Sequence, residues 1–173
     1  AGMEQKTMPD YNPYTIKRCK DCDMNNGKME LVFVPENELC AACKLVRELA
    51  KADAKQTRAA AKPLQGTIIR NTHFHHDVNI TGTSIREWTN QPHKHFKAKN
   101  QMLLDINNVF SNAAYLGTTD NHKGIKRVVQ SHIFEVEVSG EKNLLIVREY
   151  DWGEYVLHSI SDSPELYNKI KKE

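Results

Sequence analysis

Residues 128–161 read VVQSHIFEVEVSGEKNLLIVREYDWGEYVLHSIS, and the class of the fold turns on how they are parsed. Three strand-like segments stand out, Val128 to Val138, Asn143 to Tyr150 and Glu154 to Ile160. They are divided by Ser139-Gly140-Glu141-Lys142 and by Asp151-Trp152-Gly153, both turn-forming compositions, so the segments form an antiparallel meander. In the first segment Ile133, Phe134, Val136 and Val138 mix alternation with a doublet, which leaves the register open. In the second, Leu144 to Val147 is continuously apolar, the pattern of a strand covered on both faces.

Working back from the meander, Thr67 to Ile80 is rich in Thr, Ile, Phe and Val and favours a strand that ends at Gly82. Ser84 with Glu87 three positions on is a capping-box pattern for a short helix through Trp88. After Pro92 a longer helix runs to about Tyr115, with Met102, Leu103, Ile106, Val109, Phe110 and Ala113 on one buried side. Gly117 to Gly124 is a polar loop. The order strand, helix, helix, three strands predicts an α+β fold, with two helices packed on one side of a four-stranded antiparallel sheet.

In front of this lies a different composition. Cys19 and Cys22 form one Cys-x-x-Cys pair and Cys40 and Cys43 another, the spacing of a four-thiolate zinc site. Asn25-Asn26-Gly27, Met29 to Val34 and Pro35-Glu36-Asn37 fit a short zinc-binding hairpin between the knuckles. Leu39 to about Ala61 holds no Gly or Pro and predicts a long helix leaving the second knuckle. Pro63 and Gly66 then mark a boundary, giving a zinc unit with its helix over residues 1–64 and an α+β domain over 65–173. Four thiolates close a tetrahedron and leave no vacancy for water or substrate, so one structural zinc per chain is expected and chemistry is sought elsewhere.

With 39% hydrophobic and 27% charged residues the 173-residue chain can bury a core, and its formal charge of +2 is too small to name a partner. Basic stretches at Lys51 to Lys62, Lys94 to Lys99 and His122 to Arg127 suit a polyanion. No apolar run is long enough to cross a bilayer and no signal-like segment is visible, which leads us to expect a protein of the cytoplasm or of a particle assembled there.

All eight histidines lie after residue 64. His93, His95, Lys97 and Lys99 surround a helix start, where free backbone N–H groups and added cations favour a phosphate. His132 opens the first meander strand, and His158, Ser159 and Ser161 close the last. If those strands are close neighbours, His132 and His158 meet on one face and serve as acid and base for metal-independent cleavage of RNA through its 2′-hydroxyl, with Arg148 holding phosphate. A pair at His73 and His75, facing the same way on the strand before, offers a metal site instead.

The stretches IREWTNQPHKHFKAKNQMLLDINNVFSNAAYLG (85–117), SHIFEVEVSGEKNLLIVREY (131–150) and EYVLHSISDS (154–163) resemble phage members of the Barnase-EndoU-colicin-RelE nuclease superfamily. The cysteine-bearing segment ahead of them resembles the region preceding such domains in minor head proteins of tailed phages of gut Bacteroidetes. That resemblance implies an endoribonuclease leaving a cyclic phosphate, with His93, Lys99, His132, His158, Ser159 and Ser161 as its functional residues, and head or portal proteins as partners. The alternative is a zinc-stabilised, non-catalytic virion module that binds protein or nucleic acid.

Overall fold

The structure, a computed structural model, describes residues 14–17, 32–35, 41–90, 94–121 and 123–171, with side chains from residue 43 onward. Two compact units divide the chain, residues 1–51 with 92–94, and residues 52–91 with 95–173.

In the first unit β1 (Tyr14–Lys17) pairs antiparallel with β2 (Val32–Pro35). The expected strand before Pro35 is present, but its partner comes from ahead of the first cysteine pair. Helix α1 spans Ala41–Ala61, close to the Leu39 to Ala61 read from composition, and ends at a 3-10 turn, Lys62–Leu64, that contains Pro63.

The second unit is α+β, but its sheet has six strands rather than four and is mixed rather than antiparallel. Its order is β3 (Ile68–Ile69), β4 (Val78–Asn79), β8 (Tyr155–Ser161), β7 (Glu141–Tyr150), β6 (Val128–Val138) and β5 (Ala114–Asp120), with β4 parallel to β8 and the other pairs antiparallel. The meander falls where the sequence placed it. The expected single strand Thr67 to Ile80 is instead two dipeptide strands around a loop, because Asn71 leaves the ladder. Its side-chain amide donates to the carbonyls of Phe110 and Ala113, while its carbonyl oxygen accepts from the His73 backbone.

Helix α2 spans Gly82–Asn90 and starts earlier than expected. The cap is Thr81, whose hydroxyl accepts the Ser84 N–H at 3.1 Å while Ser84 Oγ accepts the Thr81 N–H at 3.0 Å. The long helix read up to Tyr115 is split into α3 (Phe96–Leu104) and α4 (Ile106–Asn112) at Asp105, whose carboxylate accepts from the Asn108 amide. Residues 114–120, read as helix end and loop, are strand β5, with an irregularity between Tyr115 and Gly117; Gly117 adopts φ +138°, open to glycine. A short helix, α5 (Pro164–Asn168), follows the meander.

One core holds this unit together. Trp88 of α2, Leu103 of α3, Phe110 of α4 and Phe134, Leu145, Val147, Leu157 and Ile160 of the sheet are all buried in it. The Trp88 indole N–H donates to the Lys99 carbonyl at 3.0 Å, satisfying its polar atom inside that core. Helices α2, α3 and α4 thus pack on one face of the sheet. The other face carries Ser131, Ile133, Ile146 and Arg148, partly roofed by Leu166 and Lys169 of the α5 region.

Candidate functional site

Cross-strand register decides which side chains meet. His132 pairs with Val147, and Val147 with Leu157, so His132 shares the helix-covered face with the core. Ile146 pairs with Ser159, which leaves His158 as an extra residue of β8 between two regular pairs. A regular ladder would have set His158 opposite Val147, in line with His132. The bulge turns His158 to the other face, where it lines a depression together with Ser159 and Ser161. The expected His132 and His158 pairing is corrected on this ground: a sheet lies between the imidazoles, and they cannot flank one phosphodiester.

His132 is buried and fully engaged. Its Nε2–H donates to Glu149 Oε1 at 2.8 Å, and its Nδ1 shares a hydrogen bond with the Tyr115 hydroxyl at 2.9 Å. Gln130 donates to the same Glu149 oxygen at 3.0 Å, and the rings of Phe74 and Tyr155 lie 4.9 and 5.5 Å from the imidazole. Burial works to raise the Glu149 carboxyl, but the hydrogen bonds from Gln130 and His132 and the charges of His132 and His76 outweigh it and hold the group below the usual carboxylate range. This network ties β5, β6 and β7 together.

The opposite face forms a groove of two depressions. One, of 290 Å3, is lined by Lys123, Ser131, Ser159, Ser161 and Lys169. The other, of 270 Å3, is lined by Thr81 and Ser84 at the start of α2 and by Tyr150, Trp152 and Glu154 around the β7–β8 turn. Arg148 and His158 belong to both and form the ridge between them. Burial, reinforced by the charges of Arg148 and Lys123, pushes the His158 imidazole down to about 4, so the ring is neutral near pH 7 and a weak base until an anion offsets those two cations. Glu87 Oε1 stands 4.0 Å from its Nε2.

Lys123 is placed by Asn121, which closes the loop before β6: its amide donates to the Ile125 and Val128 carbonyls, and its oxygen accepts the Ile125 N–H. Asp120, the acid of the first depression, pairs with Lys171 at 2.8 Å, which leaves Lys123, Arg148 and Lys169 as the dominant charges there.

The remaining candidates lie apart from the groove. Lys99 is 1% exposed, its ammonium 3.5 Å from Asp162, so it faces inward instead of offering charge at a helix start. His95 caps α3 in the left-handed region at φ 58°, with Nε2 3.5 Å from Glu141, and Lys97 is exposed. Neither depression includes these three residues. His73 and His75 are exposed on the loop between β3 and β4, so the shared strand face expected of them does not exist. His93, Cys19, Cys22 and Cys40 lie outside the described residues; Cys43 is buried in the first turns of α1.

Of the sequence candidates, Arg148, His158, Ser159 and Ser161 line this groove, as does Lys123 of the basic stretch His122 to Arg127; Lys169, Tyr150 and Trp152 line it too and were not among them. A signal for two of these was present: Arg148, Tyr150 and Trp152 alternate along β7 into its turn, which puts a cation and two aromatic rings on one side.

Among the described residues, no helix is long and apolar enough to cross a membrane. No curated protein and no solved structure matches the chain significantly. Residues 48–166, most of the chain and all of the groove except Lys169, match the family described as Large polyvalent protein-associated domain 3. The chain belongs to that family, a domain of phage-type polyvalent proteins.

Proposed function

We propose that the second unit binds RNA in the groove opposite its helices and cleaves it without a metal, with His158 in place of the two-histidine pair. The observation that carries this reading is the ridge of Arg148 and His158, set in a depression whose other cations are Lys123 and Lys169. A phosphodiester seated there meets Arg148 and Lys123, which hold its oxygens and stabilise the charge that develops on them. His158 takes the 2′-hydroxyl proton, the 2′-oxygen bonds to phosphorus, and the bond to the 5′-oxygen breaks, leaving a cyclic phosphate while water protonates the departing oxygen. The same anion offsets the two cations that depress the imidazole, raising its basicity when substrate is bound. The nuclease-superfamily resemblance supports the reaction type. Incubating RNA with the chain in excess chelator tests it: cyclic-phosphate ends lost in His158→Ala support the reading, and no cleavage, or equal cleavage by both proteins, overturns it.

A second reading, binding without turnover, is favoured by one observation. The second histidine that would serve as general acid sits behind the sheet, locked between Tyr115 and Glu149. Salt-sensitive RNA binding with no product would select this reading. In either case we propose that Cys19, Cys22, Cys40 and Cys43 hold one structural zinc, that head or portal proteins are partners, and that the protein works in the virion or the host cytoplasm. Zinc-ligand spacing supports the first of these, and the phage-type family the others.

A further inference from the structure

Among the described residues, Trp152 is an apolar side chain left largely in water, 53% exposed, while Trp88 is fully buried. Its exposure is not that of a loose turn residue. The ring stacks on Tyr150 at 4.6 Å between centroids with 26° between planes. Its indole N–H donates to Glu154 Oε1 at 3.0 Å, and Glu154 in turn accepts from Asn79 of β4 at 2.7 Å, which fixes the ring against the sheet. The Arg127 guanidinium lies over the ring, 5.1 Å from its centroid, and is held from the side by Asp151 at 3.1 Å. A planar cation, itself 57% exposed, therefore already stacks on this ring. Trp152 and Tyr150 wall the same depression as Arg148 and His158.

A rigid aromatic platform beside a cationic ridge matches the needs of one kind of ligand, a single strand whose bases are unstacked and whose backbone is charged. We propose that Tyr150 and Trp152 form a stacking subsite for one nucleobase of single-stranded RNA, next to the phosphate position at Arg148 and His158. This rests on the reading of the groove as an RNA site and adds which part of the strand goes where: base in the depression walled by the aromatic rings, phosphates along the Lys123 and Lys169 side. A duplex, with its bases already stacked and paired, is excluded from this subsite.

The test uses the full chain, a 2′-O-methyl RNA pentamer that cannot be cleaved through a 2′-hydroxyl, and inorganic tripolyphosphate as a baseless anion. Binding of each probe to wild type, Trp152→Ala and Trp152→Phe is read by titration calorimetry, and in the wild type the pentamer also quenches the emission of Trp152, Trp88 being buried. Trp152→Ala weakens pentamer binding by about 10-fold or more, the size expected of one lost base stack, Trp152→Phe retains most of the affinity, and tripolyphosphate binds all three proteins within about twofold. Equal pentamer binding by the wild type and Trp152→Ala overturns the stacking subsite and leaves the RNA site standing. Parallel loss of both probes in folded Trp152→Ala also overturns it, since the ring would then not be base-specific. A wild type that binds neither probe overturns the RNA site and the subsite with it.

Discussion

The two faces of the meander use the same residue types for opposite ends. On the helix-covered face His132 has both ring nitrogens bonded and packs among Phe74, Tyr115 and Tyr155. On the open face His158 has a carboxylate no nearer than 4.0 Å, a ring kept neutral by burial and two cations, and a groove in front of it. A histidine with its hydrogen bonds satisfied inside a core is part of the scaffold; one left neutral on a ridge beside cations gains basicity when an anion binds there.

This contrast can be broken from either side. The largest effect is expected on catalysis: His158→Ala lowers RNA cleavage by about 100-fold or more, as loss of a general base does, with stability near neutral pH unchanged, measured by initial rates and urea unfolding. The next is on the scaffold. Phe134→Ala opens a cavity in the shared core and costs about 3–5 kcal/mol, read from the urea midpoint with unchanged slope. His132→Ala removes the ring's hydrogen bonds to the Tyr115 hydroxyl and the Glu149 carboxylate, costing about 1–3 kcal/mol, while RNA affinity of the protein that remains folded stays within about twofold. If His132→Ala instead abolished binding with its fold intact, the division between the faces would fail.

Acid sharpens the comparison. The folded-state values of both Glu149 and His158 lie below their ordinary ones, so the unfolded chain binds more protons as pH falls and both groups make folding less favourable. For His158 the loss runs from about 6.5 down to about 4, so His158→Ala should resist acid in that window better than the parent. For Glu149 the stabilisation is present above the usual carboxylate range and is lost as pH falls through the lowered value, so Glu149→Gln should flatten the acid limb while reducing stability at neutral pH. Urea titrations from pH 7 to below the usual carboxylate range separate the two, His158 acting between about 6.5 and about 4 and Glu149 from the carboxylate range downward. In proton resonance titrations tripolyphosphate should move the His158 midpoint upward. The smallest expected effect lies in the other unit: chelation releases the zinc we propose there and changes the amide spectrum before α1, with little change in the urea midpoint of the six-stranded unit.

Much of the scaffold was legible. The meander shows its strands because Gly140 and Gly153, at φ 80° and 91°, turn the chain where the apolar runs stop. The sheet's outer strands were not legible, since β3 and β4 are two residues each and too short to show a period, and β5 hides behind a helical run that Asp105 breaks. The site was half legible for one physical reason. Strand period sets the facing of a side chain only while the register holds, and a single bulged residue in β8 reverses His158 against His132. Nothing in HSIS marks that bulge. Lys99 misled for a related reason, because its spacing at a helix start is the same whether the stem points to water or, as here, to Asp162.

The most direct measurement is RNA cleavage in excess chelator by three proteins side by side: wild type, His158→Ala and His132→Ala, the last at a temperature where circular dichroism shows it folded. A groove that works through His158 gives cyclic-phosphate ends from wild type and His132→Ala and a loss of about 100-fold or more in His158→Ala. Cleavage that survives in His158→Ala and disappears in folded His132→Ala would contradict it and move the chemistry behind the sheet.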